Sequence, residues 1–255
     1  MRLGLGLTIA GIGKGADALP PYDLMTALGS DLIAYWDANR ADSFTLQELT
    51  VNKWRDLVAG YELLAADPPS SPIYSPDGFN GAPCVTFNGA QWLTSTDAGL
   101  MAALPSGSTD SETWVICEQT AAPADTTERY IVGWSGSSVT SGRAMSRIVT
   151  SGKNLVRSRT GTGAGASNAD FAGIDFTGRH ILRQQVTPTR TYLDFDWSGS
   201  PASVAVVPAT TNARLRFGSI PAAGQGNLWI GSLVAVLITK ALSPEKALAL
   251  HNRLG

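Results

Sequence analysis

Charge is what this sequence has least of. Only 16% of its 255 residues are charged and the formal net charge is −2, which excludes the strongly basic surface of a general nucleic-acid binder. Histidine and cysteine are scarcer still: His180 and His251, Cys84 and Cys117. These residues have no zinc-ligand spacing. Both cysteines sit in apolar, strand-like runs, so two buried thiols are expected, although sequence alone leaves one disulfide open. The apolar N-terminal run is too short to span a bilayer, and no membrane insertion is expected. No segment repeats with a period of about 20–50 residues, which excludes solenoids and propellers.

What remains is apolar and turn-rich. Hydrophobic residues make up 44% of the chain, with 27 glycines and 14 prolines, enough for one large core interrupted by many turns. Charge is also uneven. Residues 1–150 hold eight Lys/Arg against sixteen Asp/Glu, whereas residues 151–217 hold eight against four. That basic stretch, with Arg157, Arg159, Arg179, Arg183, Arg190, Arg214 and Arg216, reads either as solvated strand faces or as a surface for an acidic polysaccharide or protein.

The segment Met1–Gly13 alternates glycine with Leu3, Leu5, Leu7, Ile9 and Ile12. We expect it to stay attached as an extended arm over residues 1–22 that docks on neighbouring subunits, since ordering it requires about 1–2 kcal/mol per residue of compensating burial. Residues 23–255 are expected to form a single all-β domain. A short helical turn is expected at 23–29 and a first strand at Asp31–Asp37. Asn39–Leu49 reads as a loop. Asn88-Gly89 reads as a hairpin turn returning through Gln91–Thr94. Ser151-Gly152 and Thr187–Thr189 read as further hairpin turns, and Gly161–Gly173 as a flexible loop. Ala213–Gly218 alternates with Leu215 and Phe217 inward. A long strand ends at Ile238. Ser243-Pro244-Glu245 starts a helix with Ala247, Leu250 and Leu254 on one face. In all, about ten to thirteen strands are expected.

The order of these features resembles the concanavalin A-like lectin/glucanase superfamily in its laminin-G-like form. The resemblance rests on Ala34-Tyr-Trp-Asp37, Trp54-x-Asp56, Asn80-Gly-x-Pro-x-Val-x-Phe-Asn-Gly89, Tyr192-Leu-Asp194, Leu228-Trp-Ile-Gly231 and Leu242-Ser-Pro-Glu245, spanning about residues 31–255. It implies an all-β, two-sheet antiparallel jelly-roll sandwich with a short C-terminal helix. With its apolar Gly-Leu arm, the chain is also similar to virion proteins of tailed bacteriophages and gene transfer particles. That similarity implies a decoration, head-fibre or tail-fibre role on the exterior of a capsid or tail. Other virion proteins would be held through the arm, the chain would be homo-oligomeric, and a host surface polysaccharide would be contacted. The resemblance also admits a structural calcium ion, for which this sequence designates no ligands; no other cofactor is expected.

Catalysis is not expected. Glucanases of this superfamily carry a Glu-x-Asp-x-x-Glu pattern supplying the two carboxyls that glycoside hydrolysis needs, and the sequence has none. Asp194-Phe-Asp196 alternates correctly but lacks glutamates. No nucleophile elbow accompanies either histidine. Sugars are gripped by aromatic platforms beside polar groups, and six of the seven tryptophans lie in strand contexts that favour the core. Trp197, next to Asp196 at an expected turn, is the exception and marks the candidate carbohydrate site. Two alternatives stay open: a secreted bacterial carbohydrate-binding module or inactive glucanase-like protein, and a polysaccharide-degrading enzyme with an unrecognised site.

Overall fold

In a computed structural model, the chain is described over residues 21–65, 67–79, 81–119, 126–135, 142–150, 153–220 and 228–255. The arm residues Leu3, Leu5, Leu7, Ile9 and Ile12 lie outside them. A helix α1 (Pro21–Leu28) comes first, its proline at the first helical position where the missing N–H costs nothing.

Seventeen strands follow among the described residues, beginning with β1 (Leu32–Asp37), β2 (Phe44–Gln47), β3 (Thr50–Arg55), β4 (Glu62–Ala65), β5 (Ile73–Phe79), β6 (Ala82–Asn88), β7 (Leu93–Ser95), β8 (Ser111–Gln119) and β9 (Arg129–Ser135). The chain continues through β10 (Arg143–Thr150), β11 (Lys153–Gly161), β12 (Ala166–Ala172), β13 (Gly178–Val186), β14 (Arg190–Phe195), β15 (Ala202–Ala205), β16 (Arg214–Phe217) and β17 (Ile230–Lys240). Helix α2 (Ala98–Ala103) lies between β7 and β8, and α3 (Pro244–Leu254) closes the chain.

The strands pair antiparallel and form one hydrogen-bonded network. Within it two ladders can be followed. The first runs β15-β14-β13-β8-β17, with both β1 and β6 along the far side of β17 and β5 beyond β6. The second runs β12-β11-β10-β9-β16-β7-β4-β3-β2. Thr50 opposite Ile73 joins them. Apolar side chains of the two ladders meet: Trp36 of β1 stands edge-on to Phe217 of β16 at 5.1 Å, and Tyr74 of β5 lies 4.8 Å from Phe44 of β2. Polar groups cross too, as Gln184 of β13 donates to Ser158 Oγ of β11 at 2.6 Å.

A second apolar layer covers the opposite face of the first ladder. Leu24 and Leu28 of α1 and Ala247, Leu250 and Leu254 of α3 are buried with Trp114, Ile116 and Leu237. Ser243 caps α3 by accepting from the Lys246 N–H at 3.3 Å, as its sequence position predicts. Cys84 and Cys117 are buried free thiols. Gly231 shows why one position of β17 must be glycine: its φ is +151°, and a Cβ there would stand 2.3 Å from the Glu118 carbonyl.

Several local expectations change. β6 and β7 do not pair with each other; β6 joins β17, while β7 joins β16 and β4. The turn itself forms, with Gly89 at φ +88° and the Ala90 N–H on Asn88 Oδ1 at 3.0 Å. Turn chemistry therefore sets the bend but not the strand's partner. The expected loop at 161–173 contains β12, whose Ala169 is buried and whose Phe171 stacks on Phe195 at 5.9 Å. The expected loop at 39–49 contains β2, anchored by Phe44 on Trp54.

Candidate functional site

The turn singled out by sequence forms at the end of β14. Asp196 and Trp197 have φ of +48° and +53°, and the Ser198 N–H reaches the Phe195 carbonyl at 3.1 Å. Two consecutive left-handed non-glycine residues cost about 1–2 kcal/mol each, so their side chains must compensate. Asp196 Oδ1 accepts the Ile181 N–H at 2.8 Å and Oδ2 bonds His180 Nδ1 at 2.7 Å. Burial lowers the His180 pKa, but the hydrogen bond to Asp196, that carboxylate's charge and the Thr177 carbonyl outweigh it, so the pKa is raised overall.

Trp197 lies parallel to Trp114, 6.3 Å between centroids, with the Arg183 guanidinium against both rings and His251 of α3 beside it. Behind them Glu112, fully buried, accepts two bonds from Arg183 (2.6 and 3.0 Å) and one from Trp114 Nε1 at 3.0 Å. The Trp197 ring is thus half-buried in packing that ties the turn to α3, while the Asp196 side chain remains 41% exposed.

Strand register reveals a different surface. Leu64 of β4 stands opposite Thr94 of β7, Thr94 opposite Arg216 of β16, and Arg216 opposite Gly133 of β9. Directly opposed residues share a face. Their neighbours Leu63, Leu93, Leu215 and Phe217 fill the core, so this row points away from it. At its β4–β7 end lies a cleft of about 630 Å³ lined by Tyr61, Glu62, Leu64, Thr94, Thr96 and Asp97 among others. Leu64 is 41% exposed, an apolar contact left open to a ligand.

Two buried polar devices shape the walls. Asp56 accepts from the backbone N–H groups of Tyr35 (3.3 Å), Val58 (2.8 Å), Ala59 (3.2 Å) and Tyr61 (2.8 Å), and so fixes the loop that ends in Tyr61. Gln91 accepts from the Asn88 N–H at 3.0 Å and donates to the Ser71 carbonyl at 2.8 Å. These bonds place the next residue, Trp92, whose ring lies 5.8 Å from the Arg216 guanidinium carbon. Beyond Arg216 the face is closed by Ile220, buried against Tyr130 and Ala144.

Past Ile220 an ion network occupies the same side of the ladder. Arg157 pairs with Asp170 at 2.8 Å and with Glu128 at 3.6 Å, and Arg159 bonds the Tyr130 hydroxyl at 2.8 Å. Burial, followed by the Glu128 charge, pushes the Tyr130 phenol up to about 12. Glu128 and Asp170 are each engaged by guanidinium groups, as Glu62 is by Lys53 and Asp97 by the α2 N-terminus. This arrangement is built for holding polar groups in place. The basic stretch seen in the sequence therefore divides: Arg157, Arg159 and Arg183 face carboxylates of this chain, and Arg214 and Arg216 form no ion pair among the described residues.

Sequence reasoning missed Trp92. Its one signal was position, three residues after the Asn-Gly turn and just before a three-residue strand. Among the described residues, no group of three or more His, Cys, Asp or Glu side chains is placed to hold a metal ion. No described helix is long and apolar enough to cross a membrane.

No family model matches the chain, and no curated protein matches it. Solved structures do. An arabinofuranosidase, in complex with arabinofuranosyl-α-1,2-xylobiose, is 11% identical with a TM-score of 0.62, covering 91% of this chain and 64% of that one. Domain 4 of AbnA, an extracellular arabinanase from Geobacillus stearothermophilus, in complex with arabinotriose, is 16% identical with a TM-score of 0.57, covering 87% and 98%. The enzymatically active domain of tailspike protein 2 of bacteriophage CBA120 is 13% identical with a TM-score of 0.53, covering 86% and 33%. The chain thus spans under two thirds of the arabinofuranosidase. These likenesses overturn the expectation that the chain is not an enzyme, because an arabinofuranosidase and a domain of an arabinanase carry a similar fold. The expectation leaned on one missing linear motif, whereas carboxyls that meet across a glycosidic bond can come from separate strands. At such identities the likeness is one of fold.

Proposed function

We propose that the chain is a carbohydrate-recognition domain of the concanavalin A-like, two-sheet jelly-roll type, belonging to a protein that acts on polysaccharide. The pairing of strands into two ladders that meet through Trp36 on Phe217 and Tyr74 on Phe44 supports that architecture. The observation that carries the function is the open cleft beside Arg216, with Trp92 over the guanidinium and Leu64 exposed. Sugar rings offer an apolar face and a rim of hydroxyls. An aromatic ring and an exposed leucine suit the face, while Thr94, Thr96, Glu62 and Asp97 suit the rim. Saccharides named with the neighbouring structures, arabinotriose and a xylobiose derivative, point to the same ligand class.

The test is binding of the purified chain to a panel of immobilised polysaccharides, with reducing ends measured in parallel. Saturable binding weakened by Trp92→Ala supports the reading. Binding weakened instead by Trp197→Ala returns the site to the Asp196–Trp197 turn, and absence of binding across the panel refutes it. Release of reducing ends assigns hydrolysis to this domain itself.

The tailspike likeness favours a second reading of where the domain works. Residues 1–22 would attach it to a phage particle as a homo-oligomer, and repeated copies would raise avidity for a host polysaccharide. Removal of residues 1–18 abolishes incorporation into particles on this reading; unchanged incorporation refutes it.

A further inference from the structure

We infer that the saccharide held in this cleft is acidic, and that Arg216 receives its carboxylate with Arg214 adding to the field. The inference rests on the carbohydrate reading above and deepens it.

Three observations converge on Arg216. First, no carboxylate pairs with it or with Arg214 among the described residues, and the two arginines stand at i and i+2 on the same face of β16. Second, among the described residues the Arg216 Nε is buried without an acceptor, and the one hydrogen bond of its guanidinium is a long one, 3.4 Å to the Ile220 carbonyl. Third, Trp92 lies across the guanidinium, holding it in plane and excluding water from one side.

Arg143 provides the contrast. Its Nε also lacks an acceptor, but its remaining nitrogens bond the Gly107 and Thr109 carbonyls and Ser111 Oγ, so it clamps a loop. Arg216 secures little of its own chain. A half-buried, nearly unpaired guanidinium is expensive to keep, and a sugar carboxylate arriving at its two terminal nitrogens would supply acceptors as a two-bond fork. Because the whole chain carries a net charge of −2, attraction of an acidic polymer would be local to this face rather than general.

The experiment compares polygalacturonate, alginate, hyaluronan and polysialic acid with their carboxyl-reduced counterparts, at low and high salt, using wild type, Arg216→Gln and Arg190→Gln. Expected is binding of at least one acidic polymer at least about tenfold tighter than its reduced form, weakening as salt rises. Arg216→Gln removes the preference and Arg190→Gln, on the other ladder, keeps it. Equal binding of an acidic polymer and its reduced form overturns the acidic assignment while leaving the carbohydrate reading intact. A preference that survives Arg216→Gln overturns the assignment to this residue. Absence of binding to both the charged and the reduced polymers, and to the neutral polysaccharide panel, overturns both readings. Circular dichroism of each variant confirms that losses arise in a folded chain.

Discussion

His180 Nδ1 meets the Asp196 carboxylate at 2.7 Å while its Nε2 faces the Thr177 carbonyl at 3.1 Å. A carbonyl and a carboxylate only accept, so both ring nitrogens are satisfied together by the imidazolium. The raised pKa follows, and so does its sign in stability. The contribution is fully present below the unfolded value of about 6.5 and is lost as pH rises through the higher folded value. Thermal melts across pH 5.5–9 should show Tm falling by roughly 1–4 °C over that window, given the modest worth of a half-exposed pair. His180→Asn should flatten this step.

Glu112 and Arg183 make a different kind of pair, with the Glu112 side chain fully buried. Glu112 also accepts from Trp114 Nε1 and, at 3.3 Å, from the Leu242 N–H just before α3. Glu112→Ala leaves Arg183, an indole and a backbone donor without their acceptor, and should cost about 3–5 kcal/mol in urea denaturation. Because α3 is docked through the same contacts, hydrogen exchange of its amides should accelerate in that variant.

Asp56 should affect stability and binding together. Removing its carboxylate takes the acceptor from four backbone N–H groups. We expect Asp56→Ala to lose about 2–4 kcal/mol of stability. It should also weaken polysaccharide binding, since the freed loop carries Tyr61 into the cleft wall. Saccharide affinity measured well below the melting temperature separates the two effects.

The all-β class, the α3 cap and the alternation of Leu215 and Phe217 were all legible, because each depends on residues adjacent in sequence. The motifs Ala34-Tyr-Trp-Asp37 and Trp54-x-Asp56 prove to be structural. Asp37 binds the Tyr35 hydroxyl and the Asn39 backbone, and Asp56 gathers its loop. What sequence could not show was strand partnership. Asn88-Gly89 marks a bend with the same chemistry whether its flanks pair with each other or part, and here they part. The cleft was hidden for the same reason: Leu64, Thr94 and Arg216 meet only through register between β4, β7 and β16. Trp197 looked exposed because its partners Trp114, Arg183 and His251 lie far away in sequence.

The most direct test of the account is the dissociation constant of the tightest-binding saccharide from the polysaccharide panel, measured by titration calorimetry for wild type, Trp92→Ala and Trp197→Ala. A site at Trp92 and Arg216 predicts about tenfold or greater weakening for Trp92→Ala and an unchanged constant for folded Trp197→Ala. Equal affinity of Trp92→Ala and wild type would contradict it.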